Sequence, residues 1–287
     1  MVEILSAEEE VRRPMSRSRI VAAFILRDFK VWWTYKLWLT LDIMGSIGFV
    51  ATYYMLSRMI PSQRVAEAGY ITGGWFTFAV LGIAFQQYVF SSVQGIAQSI
   101  RDEQWNGTIE TILSSAISFR TFLLGESCFY FAVASSFLVG GLATGLALGM
   151  RLHLEPMALL STAVLSILLV ISHLALGMLS AGLIMKIKQG DPLAWAYSWL
   201  TQLVSGVFYP LGLLPPWLRW VGRAFPLTYS LDAIRLCLQG GQTLASPQVL
   251  TDILSLLAFT AAAIPIALYV FRLGYDAARS EGSLGEY

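Results

Sequence analysis

Five long stretches of this chain contain no Asp, Glu, Lys or Arg: residues 70–99, 127–150, 156–185, 193–218 and 253–271. An α-helix rises about 1.5 Å per residue and a bilayer's hydrocarbon layer is about 30 Å thick, so roughly 20 residues cross it. Each stretch reads as a membrane span, the longer ones tilting or projecting into water. Residues 37–57 form a sixth, with Asp42 near its beginning. Composition agrees, because 56% of the residues are hydrophobic and 13% charged, against about a quarter charged in soluble domains. A large soluble core would not gather its apolar residues into membrane-length blocks.

The expected fold is an all-α polytopic membrane protein. Residues 1–36 form a cytoplasmic N-terminal region, 37–271 a six-span domain (about 37–57, 70–99, 121–150, 156–185, 193–214 and 250–271), and 272–287 a cytoplasmic tail. Six spans put both termini on one side, and Lys and Arg accumulate at cytoplasmic span ends. One side receives thirteen of them, seven ahead of the first span (Arg12, Arg13, Arg17, Arg19, Arg27, Lys30 and Lys36), and the other side six. Both termini are therefore expected in the cytoplasm of a multi-pass protein of the cell (inner, cytoplasmic) membrane. The N-terminal charged stretch runs too far before the first apolar block to be a secretory signal.

The net charge of +1 is spread along membrane edges and forms no basic patch interleaved with aromatics, which excludes nucleic acid as a partner. Cys128 and Cys237 lie in different segments, and His153 and His173 are the only imidazoles. That gives no metal-ligand spacing and no nucleophilic dyad, so no catalytic, metal or cofactor site is expected in this chain. His173, on an apolar helix, reads as a hydrogen-bonded interior histidine, with a proton relay as the other reading.

Three segments outside the plain spans carry more information. On a helix over 15–36, Ser16, Arg19, Ala23, Arg27, Lys30 and Thr34 form a narrow polar stripe beside a broad apolar face with Phe24, Ile25, Phe29, Trp32 and Trp33. Such a helix lies in the cytoplasmic headgroup layer, in contact with membrane lipids. Between spans two and three, Asn106-Gly107 reads as a turn and Thr108 as a cap. Glu110 suits the positive end of a short helix, whose apolar stripe is Ile109, Ile112, Leu113 and Ala116. Two turns are marginal alone, so this helix docks either on the membrane and neighbouring helices or on another protein. After span five, Pro210, Pro215, Pro216 and Pro226 break an aromatic-rich outer segment into short pieces that dip into the outer leaflet. There Asp232 and Arg235, three apart, can pair on one helix face.

These segments resemble the permease subunits of ABC type-2 exporters, the group with drug, polysaccharide and nodulation-factor exporters. The resemblance rests on two motifs. One is Gly107-Thr108-Ile109-Glu110 followed by Ser114-Ser115-Ala116 and Leu123-Leu124-Gly125, without the proline usual near Ile117. The other is Ser205-Gly206-Val207-Phe208-Tyr209-Pro210 with Leu214-Pro215, ending in Pro226-Leu227-Thr228-Tyr229 and Asp232-Ala233-Ile234-Arg235. With the six-span layout it covers nearly the whole chain. It implies that the stretch around Glu103–Ser115 is a coupling helix seated on a separate ABC ATP-binding subunit through Glu103, Gly107, Thr108, Glu110, Ile112 and Leu113. It makes 15–36 an interface helix and the outer segment, with Pro210, Pro215, Pro226, Tyr229, Asp232 and Arg235, a pair of re-entrant helices. It also implies a second permease subunit, identical or related, with ATP and Mg held by the partner. The absence of G-x-x-x-x-G-K-[ST] and of a soluble stretch long enough for a nucleotide-binding domain fits that division.

Gly141, Gly145 and Gly149, spaced by four along span three, are expected to allow close helix approach, within the subunit or at a dimer seam; Gly73, Gly74 and Gly82 in span two suit the same role. Gln86, Gln87, Phe85 and Trp75 are candidates for lining a pathway. Asp42 and Glu126, within about two turns of cytoplasmic span ends, read as structural groups, Glu126 capping or pairing with a neighbouring helix. Their alternative is a proton-coupled secondary transporter, for which no inverted repeat with matched broken helices is visible. Short outer loops favour export. The expected substrate is amphipathic, lipid-like or a glycan.

Overall fold

A computed structural model describes residues 16–60, 74–108, 111, 112, 115, 117, 119–187 and 192–280. Among these the chain is helical with no strand. The helices are α1 Arg17–Thr34, α2 Lys36–Met59, α3 Gly74–Trp105, α4 Phe119–Ala147, α5 Pro156–Ile187, α6 Pro192–Val204, α7 Pro216–Arg223, α8 Pro226–Leu238 and α9 Pro247–Ser280, with a 3₁₀ turn at Leu211–Leu213.

Among the described residues, four helices are long and apolar enough to cross a membrane: α3 over Gly74–Gly95, α4 over Thr121–Ala147, α5 over Pro156–Ile184 and α9 over Pro247–Ala277. α2, 24 residues long, is not among them. α6 is shorter than the expected fifth span: its 13 residues reach only about 20 Å. It stops because Gly206 takes φ 77°, a left-handed conformation open to glycine, and because Pro210 lacks the N–H that would continue the ladder.

α3 sits at the centre, against α4, α5, α6 and α8. Every residue from Phe76 to Gln86 is buried, so over these three turns the helix is covered on every side. It runs past the expected end at 99 to Trp105, where Asn106 and Gly107 (φ 68°) turn the chain. α9 is the opposite case: only 11% of its most apolar window is buried, and Leu250, Leu254, Leu257, Ile266, Leu268 and Tyr269 are exposed. For a helix of that length and composition the covering phase is lipid.

Of the expected close-packing glycines, Gly82 serves as one, since a Cβ there would overlap the Val207 carbonyl; Gly73 lies outside the described residues, and those of span three differ. α4 ends at Ala147, and Gly149, at φ 95°, forms the turn after it. A Cβ on Gly141 would meet Val50 at an ordinary 3.9 Å, and one on Gly145 would touch Met150 and Val80. The tightest helix crossing joins α5 to α9, where a Cβ on Gly182 would lie 2.6 Å from Phe271 Cα and one on Gly274 would overlap the Gly182 carbonyl. These glycines are on different helices, so no spacing in the sequence pairs them.

Candidate functional site

Where α1, α3 and α4 meet, one guanidinium joins three segments. Arg27 of α1 bonds Asp28 through Nε at 2.7 Å, Glu103 of α3 through Nη1 at 2.6 Å and Glu126 of α4 through Nη2 at 2.8 Å. The two distant carboxylates are only 7% and 5% exposed, and at such burial a carboxylate without a partner is costly. Burial opposes the charge on Arg27, but the bond to Asp28 and the charges of Asp28, Glu103 and Glu126 outweigh it and hold its pKa above the ordinary value. The stem is fixed as well. Arg27 stacks 5.1 Å from the Phe24 ring, Phe24 meets Phe122 edge to face, and Gly125 leaves room for it, since a Cβ there would lie 2.7 Å from Phe24 Cβ.

Glu103 passes this anchorage to the cytoplasmic segment. Its carbonyl accepts the Thr108 N–H at 2.9 Å, closing the turn over Asn106-Gly107, and its carboxylate accepts the Thr108 hydroxyl. Beyond the turn, the Ile112 N–H bonds the Thr108 carbonyl at 3.0 Å and the Ser115 N–H bonds the Thr111 carbonyl at 3.1 Å. Ile112 and Ile117 pack on the cluster of Phe24, Ile100, Phe122 and Leu123. Of the expected ATPase contacts, then, Glu103 and Ile112 engage this chain's own helices, Gly107 and Thr108 are exposed beside Trp105 and Asn106, and Glu110 and Leu113 lie outside the described residues. Arg27, Asp28, Trp32, Asp102, Trp105 and Tyr130 help line a cleft of about 660 Å³ there. The Asp42 side chain also lies outside the described residues.

On the outer side, α7 and α8 each begin with proline at the first turn, Pro216 and Pro226, where the missing N–H breaks no bond. Pro210 and Pro215 cap the 3₁₀ turn and α7. The Tyr229 hydroxyl donates to the Arg223 carbonyl at 2.8 Å. Asp232, on the exposed side of α8, feels the charge of Arg235 three positions on, and Arg235 itself points inward, 4% exposed. Its Nη1 donates to the Gly206 carbonyl at 2.8 Å and its Nη2 to those of Phe78 and Val207 at 2.9 and 3.1 Å. The break after α6 leaves the Gly206 and Val207 carbonyls without helical partners, and a buried carbonyl requires a donor.

Between α2, α3, α4 and α6 lies a cavity of about 360 Å³ without a charged residue in its lining. Gln86, Gln87, Gln94 and Gln202 line it together with Phe90, Trp195 and Trp199, the two tryptophans stacked at 6.4 Å. Gln86 Nε2 donates to the Ser198 carbonyl at 3.2 Å and Thr201 Oγ1 at 3.3 Å, and its Oε1 and the Ser198 hydroxyl have no partner. Of the four expected lining residues, Gln86 and Gln87 are here. Phe85 is fully buried in the main core, and Trp75 donates from Nε1 to the Phe208 carbonyl at 2.9 Å. His173 is interior as expected, its Nδ1 2.7 Å from the Leu169 carbonyl.

Gln94, Gln202 and Ser198 were not singled out by sequence, although all are polar residues on apolar helices. Arg27 was placed on the polar stripe and Glu126 expected to pair; their meeting across 99 positions has no local signature. No curated protein matches the chain. Residues 64–269 match the family described as ABC-2 family transporter protein, a span that takes in α3 to α6, the broken outer segment and most of α9. This chain is a multi-pass membrane protein and belongs to the ABC-2 family of transporter permeases.

Proposed function

We propose that this chain is the membrane subunit of an ATP-driven exporter that pairs with a separate ATP-binding subunit and a second permease, and moves an amphipathic, lipid-like or glycan substrate outward. The observation that carries this reading is the cytoplasmic end of α3. The most buried of the four candidate spans leads directly into the exposed Trp105-Asn106-Gly107-Thr108 turn, whose position is set by Glu103 and Arg27. A partner pressing on that turn presses on the centre of the membrane domain. ATP and Mg belong to the partner in this reading, and the protein sits in the cytoplasmic membrane with both termini inside. α2 is the first of six spans, and α6 with the broken segment after it is the fifth. α7 and α8 are the re-entrant pair, and Gln86 and Gln87 face the transported molecule or the second permease.

The test is to reconstitute the chain in liposomes with the ATPase encoded beside it and compare ATP hydrolysis with Glu110 intact and replaced by Arg. A stable complex whose permease-dependent hydrolysis falls steeply in Glu110→Arg is the expected result. A chain that binds no ATPase, yet moves solute under a proton gradient abolished by Asp42→Asn or Glu126→Gln, is the secondary transporter instead.

A further inference from the structure

We infer that Arg27 is a positioning residue for ATP-driven coupling, acting through Glu103 to hold the cytoplasmic turn at 105–108 in register with the first turns of α4; this rests on the permease reading above. All three kinds of guanidinium nitrogen are engaged, with carboxylates from α1, α3 and α4. A planar fork with fixed donor directions specifies the relative placement of three segments in a way that a single ammonium does not. Glu103 then carries the constraint onward through two bonds to Thr108, from its carboxylate and from its backbone carbonyl. The site is also poised: one cation faces Asp28, Glu103 and Glu126, with Asp102 close to Glu103. Loss of the guanidinium would leave Glu103 and Glu126 buried without a counter-charge. Glu103 would have to move toward water, and the turn built on it would move too.

The experiment uses the full chain in complex with its ATPase, in liposomes. Wild type, Arg27→Met, Arg27→Lys and the charge exchange Arg27→Glu with Glu126→Arg are compared for capture of the ATPase, for the KM and kcat of permease-dependent ATP hydrolysis, and for amide hydrogen exchange at 103–108. Arg27→Met is expected to capture the ATPase with unchanged KM while kcat falls about fivefold or more, the scale on which side chains between two sites alter their coupling. Exchange at 103–108 quickens, and the charge exchange recovers at least half of kcat. An unchanged kcat in Arg27→Met overturns the inference, and so does a lowered kcat that the charge exchange does not recover. Where Arg27→Met does not accumulate, Arg27→Lys decides: a wild-type kcat overturns the inference and a lowered one supports it. A wild-type chain that captures no ATPase overturns the permease reading and this inference together, whereas capture with an unaffected Arg27→Met overturns this inference alone.

Discussion

Replacing Arg235 by Met removes the donors that the broken outer segment uses at membrane depth. The carbonyls of Gly206 and Val207 lose their guanidinium bonds, and the Phe78 carbonyl loses one as well. A buried acceptor left without a donor costs about 1–3 kcal/mol. Phe78 lies within α3 and keeps its helical partner, so two stranded carbonyls cost about 2–6 kcal/mol by that measure. Relief from burying the guanidinium offsets part of this, since desolvating such an ion costs several kcal/mol even after relaxation. A net loss of about 2–4 kcal/mol is expected, equivalent to roughly 4–16 °C in Tm for a domain of this size. Cys237 is a suitable reporter, because it is buried two residues after Arg235 on α8 while the other thiol, Cys128, is exposed. In a Cys128→Ser background, a thiol-reactive dye reads the melting of the outer segment directly. Arg235→Lys should lose about half as much, because one ammonium cannot serve carbonyls on two elements in a fork. A Tm within about 2 °C of wild type, with Cys237 still protected, would refute the reasoning and mean that those carbonyls find other donors.

Gly274→Val places a side chain against the Gly182 carbonyl and should destabilise by about 1–3 kcal/mol, read from thermal unfolding in nanodiscs. Gly48→Ala, with nothing within 4 Å, should gain up to about 1 kcal/mol from helix propensity; a loss there would place a second subunit against α2. Asp102 has its carboxyl pKa raised by partial burial and by Glu103 and Asp28, against the lowering bond from Gln98. Its ionised form is thus disfavoured in the folded state, and stability falls as pH rises from the ordinary carboxylate value through the raised one. Asp102→Asn should be more stable than wild type at pH 7, and the difference should close as pH is lowered to about 4. Gln86→Leu replaces an amide whose Oε1 lacks a protein partner and should leave Tm unchanged or raise it; a clear drop would reveal an ordered water or ligand on that oxygen.

The spans of α3, α4, α5 and α9 were legible in sequence because a membrane demands long charge-free blocks, and nothing else in the chain competes with that signal. Where one block carried a hidden break, the reading overran: residues 193–214 contain no charge, yet Gly206 ends helical structure after Val204. Residues 127–150 contain three glycines at a spacing of four, but the last forms a turn and the real crossing uses Gly182 and Gly274. Arg235 was read only in part, for a related reason. Sequence shows Asp232 three positions away, whereas the Gly206 and Val207 carbonyls that Arg235 also serves lack helical partners only because the chain breaks there. The Arg27 cluster was half visible, as a polar stripe and a carboxylate near a span end, without the fold that joins them.

Arginines from other elements hold α3 near both of its ends, and the acceptors explain why each is an arginine. At the outer end, Arg235 supplies donors to neutral carbonyls that a helix break has exposed, and it fits only because position 82 has no side chain. At the cytoplasmic end, Arg27 supplies charge to carboxylates that the packing of α1, α3 and α4 has buried. Gly82 and Glu103 are separated by an unbroken helix of about 32 Å that is buried along most of its length. A rod fixed at two points and packed over most of its surface outside the Gln87, Phe90 and Gln94 stripe resists local bending, because dense packing transmits displacement instead of absorbing it. Movement of the cytoplasmic turn must therefore shift α3 as a body, or else break one of the two arginine clamps.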